Sequence, residues 1–261
     1  MEREDRLSRL VDLILESGSV RVEGVMEHFG VSPATARRDL DVLAEQQLVT
    51  RTRGGAMSNS SSGDLPLRYR SVRNGHAKRA IASRVAELVE PGSVIAFNGG
   101  TTTTAAAYEV GVRSASDPLF AAEDTTLVTN AVNIANDLTV RPQLRIVVIG
   151  GVARTRSYEL IGPLTSLILP EISIDTLFLG VNAIDPARGL FAQDDGEAAV
   201  NAALIAAARR TVVVADASKF AATAFARIVD FTDADAVLTD AGITDTDADA
   251  VREAGVELLL A

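Results

Sequence analysis

A run of amide, glycine and hydroxyl residues near the middle of the chain has the composition of a phosphate-binding site. Asn98-Gly99-Gly100 follows an apolar segment and precedes four threonines and the helix-favouring sequence Ala-Ala-Ala-Tyr. Two glycines let a ligand approach the backbone, and the free N–H groups at the start of a helix attract an anion. The spacing matches neither the Walker nor the dinucleotide-binding motif. A turn that binds nothing is the alternative, and four consecutive threonines favour the phosphate site.

Between residues 129 and 219, further polar residues follow apolar segments of the sequence. They supply hydroxyl, amide, carboxylate and ammonium groups, which together suit the oxygens of a phosphorylated polyol. We expect the effector-binding residues to be Asn98, Gly99, Gly100, Thr101, Thr102, Thr103, Thr129, Asn130, Gly150, Gly151, Asn182, Asp194, Glu197 and Lys219.

Lys219 is unusual because the chain uses arginine for almost every positive charge. Of the 25 basic residues, only Lys78 and Lys219 are lysines. Lysine carries a compact ammonium that suits a phosphate or a sugar oxygen. The pattern favours a ligand contact for Lys219, with chance usage as the alternative.

Residues 31–48 predict a helix with one buried face and one basic face. Ser32 is suited to cap the helix, and Pro33 to occupy its first position, where a missing N–H costs nothing. An apolar stripe at helical spacing is formed by Ala36, Leu40 and Leu43. The opposite face is typical of a helix whose first turns enter a DNA major groove, although an ordinary amphipathic surface helix is the alternative. The expected DNA contacts on this helix are Ser32, Thr35, Arg37 and Arg38.

Two preceding helices favour the DNA-binding interpretation. Residues 22–29 predict a short helix that ends at Gly30, so only a tight turn separates it from the basic helix. Residues 2–17 predict a first helix that stops at Gly18. Together the three segments predict a helix-turn-helix.

A basic strand follows the third helix. Residues 48–53 alternate as a strand and meet Gly54-Gly55, which predicts a β-wing. Arg51 and Arg53 on this wing would contact DNA phosphates. Three helices and a basic wing form a winged helix, and the sequence therefore predicts binding to double-stranded operator DNA.

From residue 77 onward, apolar segments of strand length alternate with helical segments. The predicted strands are residues 93–97, 126–129, 144–149, 176–181, 211–215, 236–239 and 256–260. The predicted helices are residues 77–89, 102–110, 131–138, 164–169, 197–209 and 245–254. This alternation predicts an α/β fold, a Rossmann-like parallel sheet covered by helices on both faces. Ligands of such sheets bind at the carboxyl ends of the strands, where the polar residues above are found.

Composition excludes several kinds of site. Cysteine is absent from the 261 residues, so disulfides and thiolate metal sites are excluded. His28, on a helix, and His76, in a linker, are expected at the surface without ligand-spaced partners. We therefore expect no metal and no cofactor. No apolar run is long enough to span a membrane and the amino terminus lacks a signal-peptide core, so a cytoplasmic protein without membrane contact is expected.

The net charge of −10 is unevenly distributed. Residues 1–80 carry 13 Lys+Arg and 11 Asp+Glu, a net +2, whereas residues 81–261 carry 12 and 24, a net −12. The acidic part should face away from DNA. Because the amino-terminal part is only weakly basic, tight operator binding should require a homo-oligomer, a dimer or a tetramer.

The expected domains are a winged helix-turn-helix at residues 1–57, a linker at 58–75 and an effector-sensing domain at 76–261. The Ser-rich segment Met57–Asp64 is too polar for a core. An arginine-rich run, Leu65–Arg79, follows it. That run suits a phosphate contact, the domain junction or, for most of its side chains, a solvated segment.

The chain resembles the DeoR-type transcriptional regulators, the deoxyribose-repressor-like family of winged-helix proteins that respond to sugar phosphates. The resemblance covers nearly the whole chain and is most specific at VSPATARRDLDVLAEQQLVTRTRGGA; further matches are NGGTTT, TNAVNIANDL, DTLFLGVNAID, GLFAQDDGEA and DASKF. It implies a sensor domain built like ribose-5-phosphate isomerases. The chain departs from the family pattern at Asn98, where an acidic residue is usual, at the long connection Gly111–Asp124, and at Ala192-Gln193.

Two functions remain open at this point. The first is a regulator, a repressor of a carbohydrate-metabolism operon, that a phosphorylated sugar controls. The second is an active sugar-phosphate isomerase that carries a DNA-binding appendage. Catalysis would require a proton-shuttling carboxylate, with Asp185, Asp194 or Glu197 as candidates and Lys219 stabilising an oxyanion. Carboxylates that only accept hydrogen bonds from sugar hydroxyls explain the same residues, so we favour the regulator and expect no catalytic residue.

Overall fold

The computed structural model describes residues 3–46, 48–58 and 74–261. The chain divides into two compact units, residues 1–73 and residues 74–261. One hydrophobic core lies in the first unit and two lie in the second. Each unit therefore has the anatomy of a domain.

Three helices and a three-stranded antiparallel sheet make up the described part of the amino-terminal unit. The helices are α1 (Arg3–Ser17), α2 (Val22–Phe29) and α3 (Pro33–Glu45). The strands are β1 (Ser19–Arg21), β2 (Val49–Thr52) and β3 (Gly55–Ser58), in the order β1-β3-β2. Because β2 and β3 pair as a hairpin directly after the third helix, the predicted winged helix is confirmed.

Helix α3 begins and packs as its sequence predicts. The Ser32 hydroxyl accepts a hydrogen bond from the N–H of Thr35 at 3.2 Å, and Pro33 occupies the first turn. Gly30 ends α2 with φ 63°, a left-handed conformation that glycine adopts without a Cβ clash. The apolar stripe is fully buried in the core of this unit and consists of Ala36, Leu40 and Leu43.

The sequence does not predict β1, which pairs with β3 and closes the small sheet. Three residues are too few to display the alternation of a strand. Met57 and Ser58 belong to β3, so the expected beginning of the linker at these residues is wrong. Residues 59–73 of the predicted linker lie outside the described residues, and Gly75, the last residue of that linker, begins a helix at Gly75–Leu88.

The carboxyl-terminal unit is built on seven parallel strands. In sheet order they are β15 (Glu257–Leu260), β14 (Ala236–Thr239), β12 (Ala208–Val214), β9 (Ile174–Leu179), β4 (Val94–Phe97), β5 (Thr125–Thr129) and β6 (Leu144–Val148). A hairpin is formed by β7 (Val152–Arg154) and β8 (Glu159–Ile161). A second antiparallel sheet consists of β10 (Ala183–Asp185), β11 (Gly189–Ala192) and β13 (Ala226–Val229).

Helices cover the parallel sheet. They are α4 (Gly75–Leu88), α5 (Thr101–Ser116), α6 (Pro118–Ala122), α7 (Val132–Leu138), α8 (Asp195–Ala207) and α9 (Asp245–Glu253). Short 3-10 helices span Pro163–Leu167, Leu169–Glu171, Ala217–Lys219 and Phe231–Asp233. Within the described ranges, no helix is both long and apolar enough to cross a lipid bilayer.

Both faces of the central strands are buried, as the continuous apolar strands predict, whereas the edge strands β6 and β15 are partly exposed. Within β4, Ile95 and Phe97 belong to one core cluster and Ala96 to the other. The chain adds β5 and β6 on one side of β4 and then β9, β12, β14 and β15 on the other. In open parallel sheets such a reversal of order creates a crevice where ligands bind, which here lies between the carboxyl ends of β4 and β9.

Several predicted elements differ from the structure. Helix α5 continues to Ser116 and α6 follows it, so the expected long connection at 111–124 is mostly helical. The predicted helix at 164–169 is replaced by two 3-10 turns, and Pro170, which has no N–H to donate, prevents an α-helix from continuing through both. Arg209 lies in β12 instead of the helix before it, and His76 lies exposed on α4 instead of in a linker.

A buried ion pair joins α1 to α3. Arg6 Nε donates to Asp39 Oδ2 at 2.7 Å, and Arg6 Nη2 donates to Asp39 Oδ1 at 3.3 Å. Asp39 is 1% exposed, and its hydrogen bond holds the pKa of the Arg6 guanidinium above the ordinary value. The pair spans 33 positions of sequence, so no local pattern indicates it.

Replacing Asp39 with asparagine should destabilise the amino-terminal unit by about 3 kcal/mol, because the mostly buried Arg6 loses its charge partner. The matched control is Asp41→Asn, which removes the same charge from an exposed pair with Arg51 and should cost under about 1 kcal/mol. Hydrogen exchange over residues 3–46 of the full chain measures both effects. Equal loss of protection in the two variants would contradict a structural role for the buried pair.

Candidate functional site

The exposed face of α3 carries the residues expected to contact DNA. Arg37 and Arg38 are both exposed and lie opposite the buried stripe. Thr35 is half-buried, and its hydroxyl oxygen lies 2.9 Å from that of Ser32. Ser32 thus serves as the helix cap and fixes the first turn at the surface. This face presents two guanidinium groups beside a helix start, the arrangement that a major groove accepts.

The two wing arginines have different surroundings. Arg51 Nε pairs with Asp41 Oδ1 on α3 at 2.8 Å, and its guanidinium also donates to the carbonyl of Gly55. Arg53 is exposed in the turn between β2 and β3. Arg51 is therefore engaged in holding the wing to α3, and Arg53 is the better placed of the two to contact a phosphate.

In the carboxyl-terminal unit, the crevice between β4 and β9 is closed at its base by Asn98. This fully buried side chain accepts a hydrogen bond from Gly180 N at 2.8 Å and donates to Gly180 O at 2.9 Å. Its amide also donates to Asn201 Oδ1 at 3.0 Å. Asn98 therefore joins the ends of the two strands, and its contact with a ligand stays a prediction.

Helix α5 starts at this crevice without a side-chain cap. Its N-cap is Gly100, with φ 142°, which has no side chain to satisfy the first N–H groups. Thr102 and Thr103 are buried, and the Thr103 hydroxyl donates to Gly100 O at 3.1 Å. By contrast, α3 is capped by Ser32, and the first turn of α5 keeps N–H groups for another partner.

Glu159 lies fully buried at the start of β8 and reaches the same loop. Its Oε1 accepts a hydrogen bond from Gly99 N at 3.0 Å. A Cβ at position 99 would overlap Glu159 Cγ, so only glycine permits this approach. Burial, reinforced by the negative charge of Glu197, raises the pKa of Glu159 to about 8. The N–H of Gly99, expected to bind a ligand, therefore bonds to the protein's own side chain.

Arg154, at the end of β7, connects two carboxylates that the sequence analysis expects to contact the ligand. Its Nε lies 3.2 Å from Asp194 Oδ2, and its Nη1 lies 3.1 Å from Glu197 Oε1. Asp194 also caps α8 through Oδ1, which accepts hydrogen bonds from Gly196 N and Glu197 N. No local pattern in the sequence points to Arg154 or Glu159, although Gly99 is a local signal that a side chain packs against this loop.

The last residue of β5 and the residue after it hold the neighbouring backbone. Thr129 Oγ1 accepts a hydrogen bond from Ala131 N at 3.0 Å. Asn130 donates to Leu160 O at 3.2 Å and more weakly to Glu159 Oε1 at 3.5 Å. Asn130 is buried, and its Oδ1 has no hydrogen-bond partner among the described residues. The Asn130 amide therefore keeps one acceptor for a ligand or a water.

The remaining predicted residues have structural positions of their own. Asn182 Oδ1 accepts a hydrogen bond from Gln193 N at 3.1 Å and ties β10 to the end of β11. Gly150 is exposed after β6. Gly151 has φ 147°, and a Cβ there would lie 2.8 Å from Ile161 O, so glycine is needed for the β7–β8 hairpin to close. Their contact with a ligand stays a prediction.

The segment after β12 places Lys219 beside a buried carboxylate. Asp216 accepts a hydrogen bond from Ser218 N at 3.2 Å and another from the Ser218 hydroxyl. Burial alone would raise the pKa of Asp216, but the bonds from Ser218 and the charge of Lys219 outweigh it and hold the pKa below the ordinary value. Among the described residues, no group of three or more His, Asp or Glu side chains is arranged to hold a metal ion.

Two family models match the chain. The DeoR-like helix-turn-helix domain matches residues 6–62, and the DeoR C terminal sensor domain matches residues 73–241. Among solved structures, ribose 5-phosphate isomerase A from Methanocaldococcus jannaschii aligns with 56% of this chain and 55% of its own, with a TM-score of 0.41 and 18% identity. The fold assignment rests on the strand order of the parallel sheet itself.

Full-length relatives are similar along nearly the whole chain. The glycerol-3-phosphate regulon repressor of Escherichia coli K12 is 35% identical over 92% of each chain. The putative aga operon transcriptional repressor of Escherichia coli O157:H7 is 31% identical over 98% of this chain and 93% of its own. The HTH-type transcriptional regulator GlpR of Haloferax volcanii is 32% identical over 98% and 96%, respectively. The chain belongs to the DeoR family of transcriptional regulators, with an amino-terminal DNA-binding helix-turn-helix domain and a carboxyl-terminal sensor domain.

Proposed function

We propose that this regulator represses a carbohydrate-metabolism operon and that a phosphorylated sugar or polyol controls its binding to the operator. The observation that carries the proposal is the uncapped start of α5 at the crevice between β4 and β9. The names of the relatives support the class, since they refer to repressors of a glycerol-3-phosphate regulon and of an aga operon.

The chemistry of the crevice favours a phosphate group. The N–H groups in the first turn of α5 carry partial positive charge. Thr102 is buried in the same turn. Glu159, whose pKa is raised to about 8, is mostly neutral at pH 7 and adds little repulsion to an anion there. The Asn130 amide oxygen and the carboxylates of Asp194 and Glu197 accept hydrogen bonds and suit the hydroxyls of the ligand.

The isomerase alternative has less support. A proton-shuttling carboxylate must be able to approach the reacting carbon, yet Arg154 holds both Asp194 and Glu197. Asp185 accepts hydrogen bonds from Ala187 N and Arg188 N in the turn after β10. These contacts fit carboxylates that position groups. Incubation of the protein with aldose and ketose phosphates tests the alternative, and interconversion would establish an enzyme.

The weak positive charge of the amino-terminal part supports an oligomer on the operator. Two copies of α3 placed one helical turn of DNA apart would double the number of phosphate contacts. We therefore propose a homo-oligomeric, cytoplasmic repressor, and sedimentation with and without operator DNA measures its size.

Arg38→Ala should weaken operator binding by about 1–3 kcal/mol and relax the base preference at one position, because its guanidinium reads a base edge. Arg53→Ala should instead weaken operator and random DNA alike and reduce the slope of log affinity against log salt by about 1. Fluorescence anisotropy with both DNAs at several salt concentrations measures these effects. Equal losses on both DNAs for Arg38→Ala would refute its base-reading role.

Thr102→Val should weaken effector binding about tenfold, because a hydroxyl bond to a charged phosphate is lost while size and branching are kept. The matched control is Thr104→Val on the same helix, whose hydroxyl instead accepts from Asn133 Nδ2 at 2.9 Å and should not contact the ligand. The measurement is operator release titrated with glycerol 3-phosphate and hexose 6-phosphates, each beside its unphosphorylated form. Equal potency of phosphorylated and unphosphorylated forms on the wild-type protein would rule out a phosphate site.

Raising the pH from 7 to 9 should weaken binding of the sugar phosphate about tenfold in the wild-type protein. Glu159, with its pKa of about 8, loses its proton over this range and gains a negative charge beside the phosphate. The phosphate ester is already doubly charged above pH 7. Glu159→Gln should bind the ligand with nearly constant affinity, whereas the exposed control Glu253→Gln should follow the wild type. Isothermal titration tests this, and a parallel fall in Glu159→Gln would exclude Glu159 as the titrating group.

A further inference from the structure

Both lysines of the chain lie beside one buried carboxylate. Asp216 is 2% exposed, and the positive charges of Lys219 and Lys78 both act to lower its pKa. Lys219 belongs to the loop after β12, whereas Lys78 lies buried in the first turns of α4, 141 positions earlier. Asp216 therefore connects the loop after β12, where Lys219 is predicted to contact the effector, to α4, the helix that begins the sensor unit.

Asn74 makes the same connection through hydrogen bonds. Its Nδ2 donates to Asp216 Oδ1 at 2.8 Å and to Ser218 Oγ at 3.3 Å. Its carbonyl accepts from Lys78 N at 3.0 Å, the first hydrogen bond of α4. Asn74 is thus held at its side chain by the loop after β12 and at its backbone by α4.

The backbone of Asn74 adopts a conformation that its contacts must stabilise. With φ 54° and ψ 34° it is left-handed, and among the described residues only Asn74 and Tyr158 are non-glycine residues with positive φ. This conformation is unfavourable for an L-residue, less so for asparagine than for most. Asn74 is also the first residue of the sensor unit and lies directly before α4.

We propose that the hydrogen bonds of Asn74 to Asp216 and Ser218 form the coupling element between effector binding and operator binding. The proposal rests on the proposed function, with Lys219 as a contact of the anionic effector. An anion bound by Lys219 competes with Asp216 for that ammonium. The Asp216 carboxylate then interacts more strongly with Lys78 and Asn74. This stronger interaction changes the stability of the left-handed conformation at Asn74. A ligand can shift such a two-state element only through this kind of differential contact.

The test compares two affinities and their coupling in the full chain. Asn74→Gly removes the amide but allows the left-handed conformation freely. The operator affinity is measured with and without the hexose 6-phosphate or glycerol 3-phosphate that acts most strongly on the wild type. Typical coupling factors are about 5–150-fold, and the same factor must appear in the ligand affinity measured with and without operator. In Asn74→Gly we expect this factor to fall to within about twofold of 1, while each affinity measured alone stays within about twofold of the wild-type value.

Two further variants sharpen the result. Asn74→Asp retains the tendency toward a left-handed backbone but places a carboxylate against Asp216, and it should also lose the coupling. Asn136→Ala changes an exposed asparagine of α7 and should keep it. A wild-type coupling factor in Asn74→Gly would overturn the proposal, and so would loss of ligand binding itself, since Asn74 would then act within the ligand site. No response of the wild-type protein to any sugar phosphate would overturn the proposed function as well.

Discussion

The buried amide of Asn98 is the contact on which the sensor unit depends most, because it satisfies both backbone groups of Gly180 across the crevice where the sheet reverses its order. An amide both donates and accepts, and its second N–H bond goes to Asn201. A carboxylate at this position can accept from Gly180 N but cannot donate to Gly180 O. The base of the crevice is therefore closed by hydrogen bonds of an amide, without a buried charge.

Local charges rather than the net charge determine what the sensor unit can bind. Residues 81–261 carry a net −12, yet many of the carboxylates near the crevice are compensated. Arg154 pairs with Asp194 and Glu197, and Glu159 is mostly neutral at pH 7 because it is buried beside Glu197. The backbone N–H groups therefore attract an anion at the start of α5, and the compensated carboxylates nearby repel it only weakly. The distant surface carboxylates are screened by salt within about 10 Å.

In the DNA-binding unit as well, some charged side chains are paired within the fold while others remain exposed. The Arg6–Asp39 pair fixes α3 against α1 from below, while Arg37 and Arg38 remain at the surface above. Arg51 is held between Asp41 and Gly55, which orients the wing. The unit thus separates arginines that hold the fold from arginines that are exposed to a partner, although the residue type is the same.

Local patterns in the sequence determined the winged helix and the parallel sheet. One or two helical turns of sequence are enough to show the Ser32 cap, the stripe ending at Leu43 and the stop at Gly30. The apolar strands are recognised from their composition. The same patterns identified the loop at 98–104, since glycines and threonines after a strand are visible without a structure. Short strands such as β1 and β10 are too brief to display a period.

Only the tertiary structure decided which of the polar residues meet. Glu159 lies 60 positions from Gly99, and Asn74 lies 142 positions from Asp216. Contacts at such separations depend on how strands are ordered in the sheet and leave no periodic signal in the chain. For the same reason, the sequence does not show that the side chains of Asn98 and Asn182 bond to backbone groups or that Asp194 pairs with Arg154. Most buried polar groups in a folded protein are hydrogen-bonded, and in this fold the nearest partners are groups of the protein itself.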